Sequence, residues 1–208
     1  MAQPKDYEFG MADFIFDEGL DTELRFDGKL CEENSLLQAE GGSVELTPIL
    51  EDIVLADFGN GNFDQIVVGW EGSVSIVATK STLDVISKTL SGTLSIESDG
   101  TLSTVTDAPV GSSLRSSARS LRIHPRGMGA DTSEDIVIHK VANAGGLTKA
   151  FANEQGSYEM EFSIFPKDCA DASQPNNYFY IGEDPAGLPE GASAMSVEPG
   201  EGDAELQY

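Results

Sequence analysis

Residues 43–78 decide the fold of this chain, and they read SVELTPILEDIVLADFGNGNFDQIVVGWEGSVSIVA. Val44 and Leu46 alternate with polar neighbours. Within 64–79, apolar residues recur at every second position and are expected to share one face: Ile66, Val68, Trp70, Val74, Ile76 and Ala78. A period of two is the pattern of a strand with one buried face. The stretch therefore predicts two long strands joined by an extended, acidic, Gly/Asn-rich connection. Pro48 suits the end of the first strand or a sheet edge.

A single segment has the pattern of a helix. Residues 81–90 begin with Ser81, which can cap a helix, and Asp84 completes an S-x-x-D capping pattern. An apolar stripe at helical spacing is formed by Leu83, Ile86 and Leu90. We therefore expect one helix directly after the second long strand.

Further alternating segments make strands the dominant element. They are residues 119–125, 135–141 and 157–165, and residues 147–152 are also expected to form a strand. The β-α-β alternation of a parallel sheet is not seen in this order of elements. The predicted class is mostly β: a β-sandwich or open barrel segment with one packed α-helix, an extended loop and terminal arms.

The ends of the chain differ in composition from the middle. We expect an N-terminal arm over 1–35 with one or two short strands, a β-sandwich domain over 36–182, and an acidic C-terminal tail over 183–208. Within the domain, residues 91–118 are rich in Ser, Thr and Gly. That composition favours a long projecting hairpin or loop.

The charge balance restricts the partners of the protein. Asp and Glu number 36 against 12 Lys and Arg, for a formal net charge of −24. Such a chain is a poor match for nucleic acid or an anionic membrane surface, and its copies repel one another. No apolar run approaches the ~20 residues of a membrane helix, and no secretory signal is visible. We expect synthesis in a cytoplasm, with Cys31 and Cys169 as free thiols.

Patterns that carry chemistry are scarce, so we expect no enzyme and no cofactor. His124 and His139 are the only histidines, and neither C-x-x-C nor H-E-x-x-H occurs. Residues 57–64, DFGNGNFD, loosely resemble a calcium loop but lack its register and its distal Glu. A turn is the favoured interpretation there, and a calcium-binding surface β-domain stays as an alternative.

Two groups of surface residues stand out instead. Arginines are concentrated at positions 115–126, where they either balance nearby acids or form a docking patch for an acidic surface of another copy. Those arginines are Arg115, Arg119, Arg122 and Arg126. Acidic and small polar side chains line one face of the predicted strands. Those side chains are Glu45, Glu71, Ser73, Ser75, Glu159 and Glu161.

Three segments also carry a resemblance to a known family. They are residues 37–78, the run SLRIHPRGMGADTSEDIVIHKVANAGG at 120–146, and the run YEMEFSIFPKD at 158–168. These phrases resemble the major tail tube protein of long-tailed bacteriophages, over Leu37–Gly182. In that family six subunits form a ring, the rings stack into a hollow tube, and DNA passes through the lumen during ejection.

The resemblance implies a structural virion protein of the phage tail, assembled in the host cytoplasm. Its partners would be copies of itself in hexameric rings and other tail proteins, while DNA transits without specific binding. The acidic strand face would line the lumen and repel phosphate, and the four arginines would make contacts between subunits. Another virion component of similar fold, such as a tail terminator or a capsid-decorating protein, is the nearest alternative.

Overall fold

The computed structural model describes residues 10–30, 32, 34–59, 61–149 and 157–185. This part of the chain is mostly β, with antiparallel strands and one α-helix, as the alternating pattern predicts. The elements in order are β1 Ala12–Phe16, β2 Leu24–Phe26, β3 Ser43–Val54, β4 Asn62–Ala78, α1 Leu83–Thr89, β5 Thr93–Ser98, β6 Thr101–Asp107, β7 Arg119–Pro125, β8 Ile136–Asn143, β9 Tyr158–Phe165 and β10 Phe179–Ile181.

One large sheet contains eight of these strands, in the order β2-β1-β7-β8-β9-β4-β3 with β10 also on β8. The strand β8 is shared along its length: residues 136–138 pair with β10, whereas residues 140–143 pair with β9. Strands β5 and β6 form a separate antiparallel hairpin. Residues 91–118 were expected to be a hairpin or a loop, and Thr93–Asp107 is a hairpin.

The large sheet curls until its two sides meet at one end. The backbone N–H of Leu36 donates to the carbonyl of Arg25 in β2, at 2.8 Å. Three residues later, the N–H of Ala39 donates to the carbonyl of Val77 in β4, at 2.7 Å. The side-chain amide of Gln38 also donates hydrogen bonds to the carbonyls of Ala12 in β1 and Phe26 in β2. Residues 34–39 thus connect β2 to β4 and give the open barrel its closed end.

The core lies inside this curled sheet. The predicted alternation in β9 is confirmed, because Tyr158, Met160, Phe162 and Ile164 share the inward face and are at most 7 % exposed. Phe16 of β1 reaches across the core to Phe162 of β9, with ring centroids 5.0 Å apart. The buried apolar residues include Phe14, Phe16, Leu24, Phe26, Val74, Ile76, Leu121, Ile123, Ile138, Tyr158, Met160 and Phe162.

The segment expected to be an N-terminal arm contributes directly to this core. It contains the two short strands β1 and β2, and both belong to the large sheet. Phe16 and Phe26 are fully buried. Truncating a buried Phe to Ala typically costs about 3–5 kcal/mol. Residues 10–30 therefore belong to the body of the domain, whereas residues 1–9 lie outside the described residues.

The helix begins one residue later than its sequence pattern suggests. Thr82 is the N-cap, and its Oγ1 accepts the N–H of Val85 at 3.4 Å, so the assignment of Ser81 as cap was wrong. The expected stripe is also wrong, since Leu83 is 41 % exposed while Val85 and Thr89 are buried. Thr89 contacts the hydroxyl of Tyr158 at 3.2 Å, so packing against β9 decides which side faces inward.

The remaining expectations have mixed outcomes. Pro48 was expected at a strand end or a sheet edge, and it lies on the sheet edge, because β3 continues past it to Val54. Residues 147–149 are not in a strand, and 150–152 lie outside the described residues. Cys31 and residues 186–208, most of the expected acidic tail, lie outside them as well.

Candidate assembly surface

All six predicted acidic and polar residues lie on one face of three neighbouring strands. The register of β3, β4 and β9 aligns them in cross-strand rows. Glu45, Ser73 and Ser163 form one row, and the next row contains Ser75 and Glu161. The rows beyond these contain Thr47 beside Glu71, and Val77 beside Glu159. Because directly opposed residues are about 5 Å apart, these side chains form one continuous surface.

The three strands carry charge of one sign. Between them β3, β4 and β9 contain acids but no Lys or Arg, and the glutamates on the polar face are exposed. A surface of one sign produces a potential that repels a polyanion such as DNA. The seven acids are Glu45, Glu51, Asp52, Asp64, Glu71, Glu159 and Glu161.

Strands β3 and β4 extend beyond the rest of the sheet as a two-stranded hairpin. The pairing of β4 with β9 stops at Ser73, whereas the pairing of β4 with β3 continues to Asn62. Among the described residues, nothing pairs with residues 62–72 of β4 on that side, or with the outer edge of β3. Unpaired backbone edges of this length are templates for pairing with another chain.

The hairpin also exposes apolar side chains on both faces. Soluble monomers bury such side chains or scatter them singly, and contiguous patches mark interaction sites. The exposed fractions run from 39 % at Leu55 to 71 % at Phe58. The set comprises Ile49, Leu50, Val54, Leu55, Phe58, Phe63, Ile66, Val67 and Val68.

A β-bulge changes which apolar residues share a face. Ile49 pairs with Gly69 and Leu50 pairs with Val67, so Val68 is an extra residue in β4. The extra residue exchanges the faces beyond it. Ile66 was expected on the face of Trp70, and this is wrong, because Ile66 lies opposite Glu51 on the acidic face.

A groove of about 430 Å³ lies at the base of the hairpin, between β4 and the loop before β10. Trp70 packs edge-on against Phe179, with ring centroids 5.0 Å apart, and forms one wall. Val67 and Val68 continue that wall toward the tip. The groove extends the apolar surface of the hairpin onto the body of the domain.

The four arginines all bind groups of their own chain. Arg122 and Arg126 form ion pairs with Glu18 and Asp13 of the N-terminal segment. Arg115 donates to the carbonyls of residues 166 and 167, at 3.1 and 2.8 Å, and lies 3.3 Å from Asp168. These contacts fit the charge-balancing interpretation, and a further role in docking stays a prediction.

Arg119 is the most enclosed of the four. Its Nε donates to Asp17 at 2.7 Å, and its terminal nitrogens donate to the carbonyls of Thr22 and Lys88. The guanidinium carbon also lies 5.4 Å from the ring centroid of Phe16. Arg119 thereby joins the N-terminal segment, the helix and the core.

A second charged cluster lies where β7 meets β8. The two ring nitrogens of His124 lie 2.5 Å from Oδ1 of Asp135 and 2.9 Å from the carbonyl of Gly129. Both partners are acceptors, so the ring satisfies them only as the doubly protonated cation. The hydrogen bond to Asp135 accordingly raises the pKa of His124. Asp135 itself is buried, and Arg122 lies 3.7 Å from its other oxygen.

Among the described residues, no group of three or more His, Cys, Asp or Glu side chains is arranged to hold a metal ion. Cys169 is a free, exposed thiol. No helix in the described part of the chain has both the length and the apolarity needed to cross a membrane.

No protein-family model matches this sequence, and no curated protein matches it either.

Proposed function

We propose that this protein is a structural subunit that assembles with copies of itself into the stacked rings of a phage tail tube. The observation that carries the proposal is the projecting hairpin, which leaves both its edges and both its faces uncovered. Hexameric rings and a virion tail location are implied by the sequence resemblance. Neither catalysis nor a cofactor is part of the proposal.

Pairing between copies would satisfy the open edges of the hairpin. The outer edge of β3 in one subunit would pair with the free edge of β4, residues 62–72, in the next. Repeating this contact around a ring joins the hairpins into one closed sheet and removes both of their open edges. Pro48 has no N–H and belongs at an edge where its nitrogen faces outward, so one donor is missing from that ladder.

The same arrangement would give the acidic face a function in the passage of DNA. If the hairpins of all subunits line the tube, Glu45 and Glu71 lie on strands that surround the channel. Their charges would repel phosphate and keep a passing duplex from adhering. In this proposal the acidity of the chain prevents binding of DNA instead of selecting a partner.

A matched pair of variants at one edge residue tests ring closure. Alternation from Pro48 directs the N–H of Leu50 outward, away from β4. Leu50→Pro removes that donor, whereas Leu50→Ala shortens the side chain to a similar extent and keeps the donor. We expect wild type and Leu50→Ala to form rings by negative-stain microscopy, and Leu50→Pro to remain monomeric with an unchanged circular dichroism spectrum.

The outcomes separate the candidate functions. Stacked rings of wild-type protein support the tail tube, whereas single rings that never stack point to a terminator that caps the tube. A wild-type chain that stays monomeric at high concentration in sedimentation experiments contradicts ring assembly altogether. Rings formed equally well by Leu50→Pro would refute the edge-pairing contact alone.

A further inference from the structure

Most of the positive charges in the described part of the chain form ion pairs within it. The described residues include eleven Lys and Arg, and eight of these form ion pairs. Within the same residues, three lysines have no carboxylate within ion-pairing distance: Lys80, Lys149 and Lys167. In a chain of net charge −24, a lysine without an acidic partner is uncommon and can attract the acidic surface of another copy.

Two of these three lysines lie together. Lys80 follows the end of β4, and the ammonium of Lys149 donates to the carbonyl of the next residue, Ser81, at 3.1 Å. Both lysines are exposed. Two exposed apolar residues, Leu83 and Leu147, stand two positions from Ser81 and Lys149 respectively. We call this surface, made of Lys80, Lys149, Leu83 and Leu147, the lysine end.

The opposite end of β4 has the complementary character. Around the hairpin turn four acids are exposed, and no Lys or Arg of the described chain pairs with them. Phe58 and Phe63 contact each other there with tilted rings whose centroids are 5.1 Å apart, and the two side chains remain 71 % and 54 % exposed. We call this surface the acidic tip; its acids are Glu51, Asp52, Asp57 and Asp64.

Both ends of β4 therefore expose apolar side chains, and their charges have opposite signs. A strand of 17 residues separates them by up to about 55 Å, so one molecule cannot bring its own ends together. A contact between different surfaces of identical molecules propagates in one direction instead of closing on itself as a dimer. Copies of a strongly acidic chain also need local charge complementarity to offset their general repulsion.

We infer that the acidic tip of one copy docks on the lysine end of a copy in the next ring, and that this contact sets the direction of stacking. The inference rests on the proposed function, since it concerns the contact between rings and presupposes rings. Phe58 and Phe63 supply apolar burial, and the lysines supply attraction and orientation.

Charge reversal at each end tests the contact. In Lys80→Glu/Lys149→Glu, both surfaces become acidic, and we expect the pelleted fraction of tubes to fall by about tenfold while single rings persist. Glu51→Lys/Asp57→Lys/Asp64→Lys should do the same. In the chain with all five substitutions, the tip has three lysines and one acid and the opposite end has two glutamates, so the signs of the two ends are exchanged and we expect tubes to return.

A control variant separates the effect of the position of a substitution from the effect of its change in net charge. Lys80→Glu and Lys167→Glu change the net charge equally, but Lys167 is distant in sequence from either end. We expect only Lys80→Glu to shorten the tubes, and the effect to shrink above ~0.15 M salt, where exposed charges are screened. Thermal unfolding checks that each variant is folded.

Each result decides the inference. Tubes of normal length from Lys80→Glu/Lys149→Glu, or equal shortening by Lys167→Glu, would overturn it and leave ring assembly standing. Failure of the five-substitution chain to recover would also overturn it, because exchanged charges must restore a true complementary contact. Wild-type protein that forms no rings would overturn both this inference and the proposed function.

Discussion

Arg119 offers the sharpest test of how this fold is held together. Its guanidinium bonds to Asp17 and to the carbonyls of Thr22 and Lys88, and the two side chains of the ion pair are 15 % and 13 % exposed. Arg119→Ala leaves the Asp17 carboxylate in a largely buried site without a cation and, among the described residues, with hydrogen bonds only from Thr22 and Ser120. We therefore expect a substantial loss of stability, although the residue is charged and lies near the surface.

The size of the loss follows from that burial. Breaking a fully buried ion pair costs about 3–5 kcal/mol, and the residual exposure places Arg119 at the lower limit, about 3 kcal/mol. The lost contact with the ring of Phe16 is included in that figure. With a urea m-value of about 2 kcal/mol/M, the midpoint of unfolding should fall by about 1.5 M.

The assay is urea unfolding followed by circular dichroism and by fluorescence of Trp70, the only tryptophan. Arg119→Lys keeps the charge but loses the planar donor array, so its midpoint should lie between those of wild type and Arg119→Ala. Arg115→Ala is the matched control, because its partner Asp168 is 70 % exposed and a much smaller shift is expected. An Arg119→Ala midpoint within 0.2 M of wild type, a shift of about 0.4 kcal/mol at that m-value, would refute this reasoning.

The result also bears on docking by the arginines. Arg119→Glu with Arg122→Glu is expected to block assembly, but loss of the fold would have the same effect. Arg115 is the better probe, since its side chain is 41 % exposed. If Arg115→Glu assembles normally while folded, the docking patch is contradicted at that position.

Three further predictions follow. Glu45→Lys with Glu71→Lys should leave unfolding nearly unchanged, because both residues are exposed, yet make assembled tubes retain DNA in low-salt gel-shift assays. The charged His124 stabilises the fold fully below the unfolded pKa of about 6.5, and this stabilisation should be lost as pH rises through the raised pKa of the folded state. Thermal melts of His124→Gln should lack that pH dependence. Gly72→Ala should lower the melting temperature, because its Cβ would overlap the carbonyl of Glu45, whereas Gly69→Ala, with 3.6 Å of clearance, should be tolerated.

Much of the candidate surface was readable from alternation alone. Glu45, Ser73 and Glu161 were predicted to share strand faces, and the structure brings them onto one face because β3, β4 and β9 are neighbours in register. The apolar hairpin was missed, although a signal was present. Paired apolar residues such as Ile49–Leu50 and Val67–Val68 break the alternation, and that break indicates a strand with two apolar faces.

The lysine end could not have been found without coordinates. Lys80 and Lys149 are distant in the sequence, and they meet only because the loop after β8 returns to the end of β4. The intrachain partners of Arg119 and Arg126 are likewise about 100 residues away. Ion pairs over such separations depend on how the sheet curls, which local patterns do not encode.

The sequence by itself determined the strand-rich class, the acidity and the positions of the longest strands. These properties depend on composition and on a period of two residues, which are local. Tertiary structure alone decided that β1 and β2 enter the core, that α1 buries Val85 and Thr89, and that the β3–β4 hairpin stands free. Those outcomes depend on which surfaces meet, because burial is a property of pairs of segments and not of either segment alone.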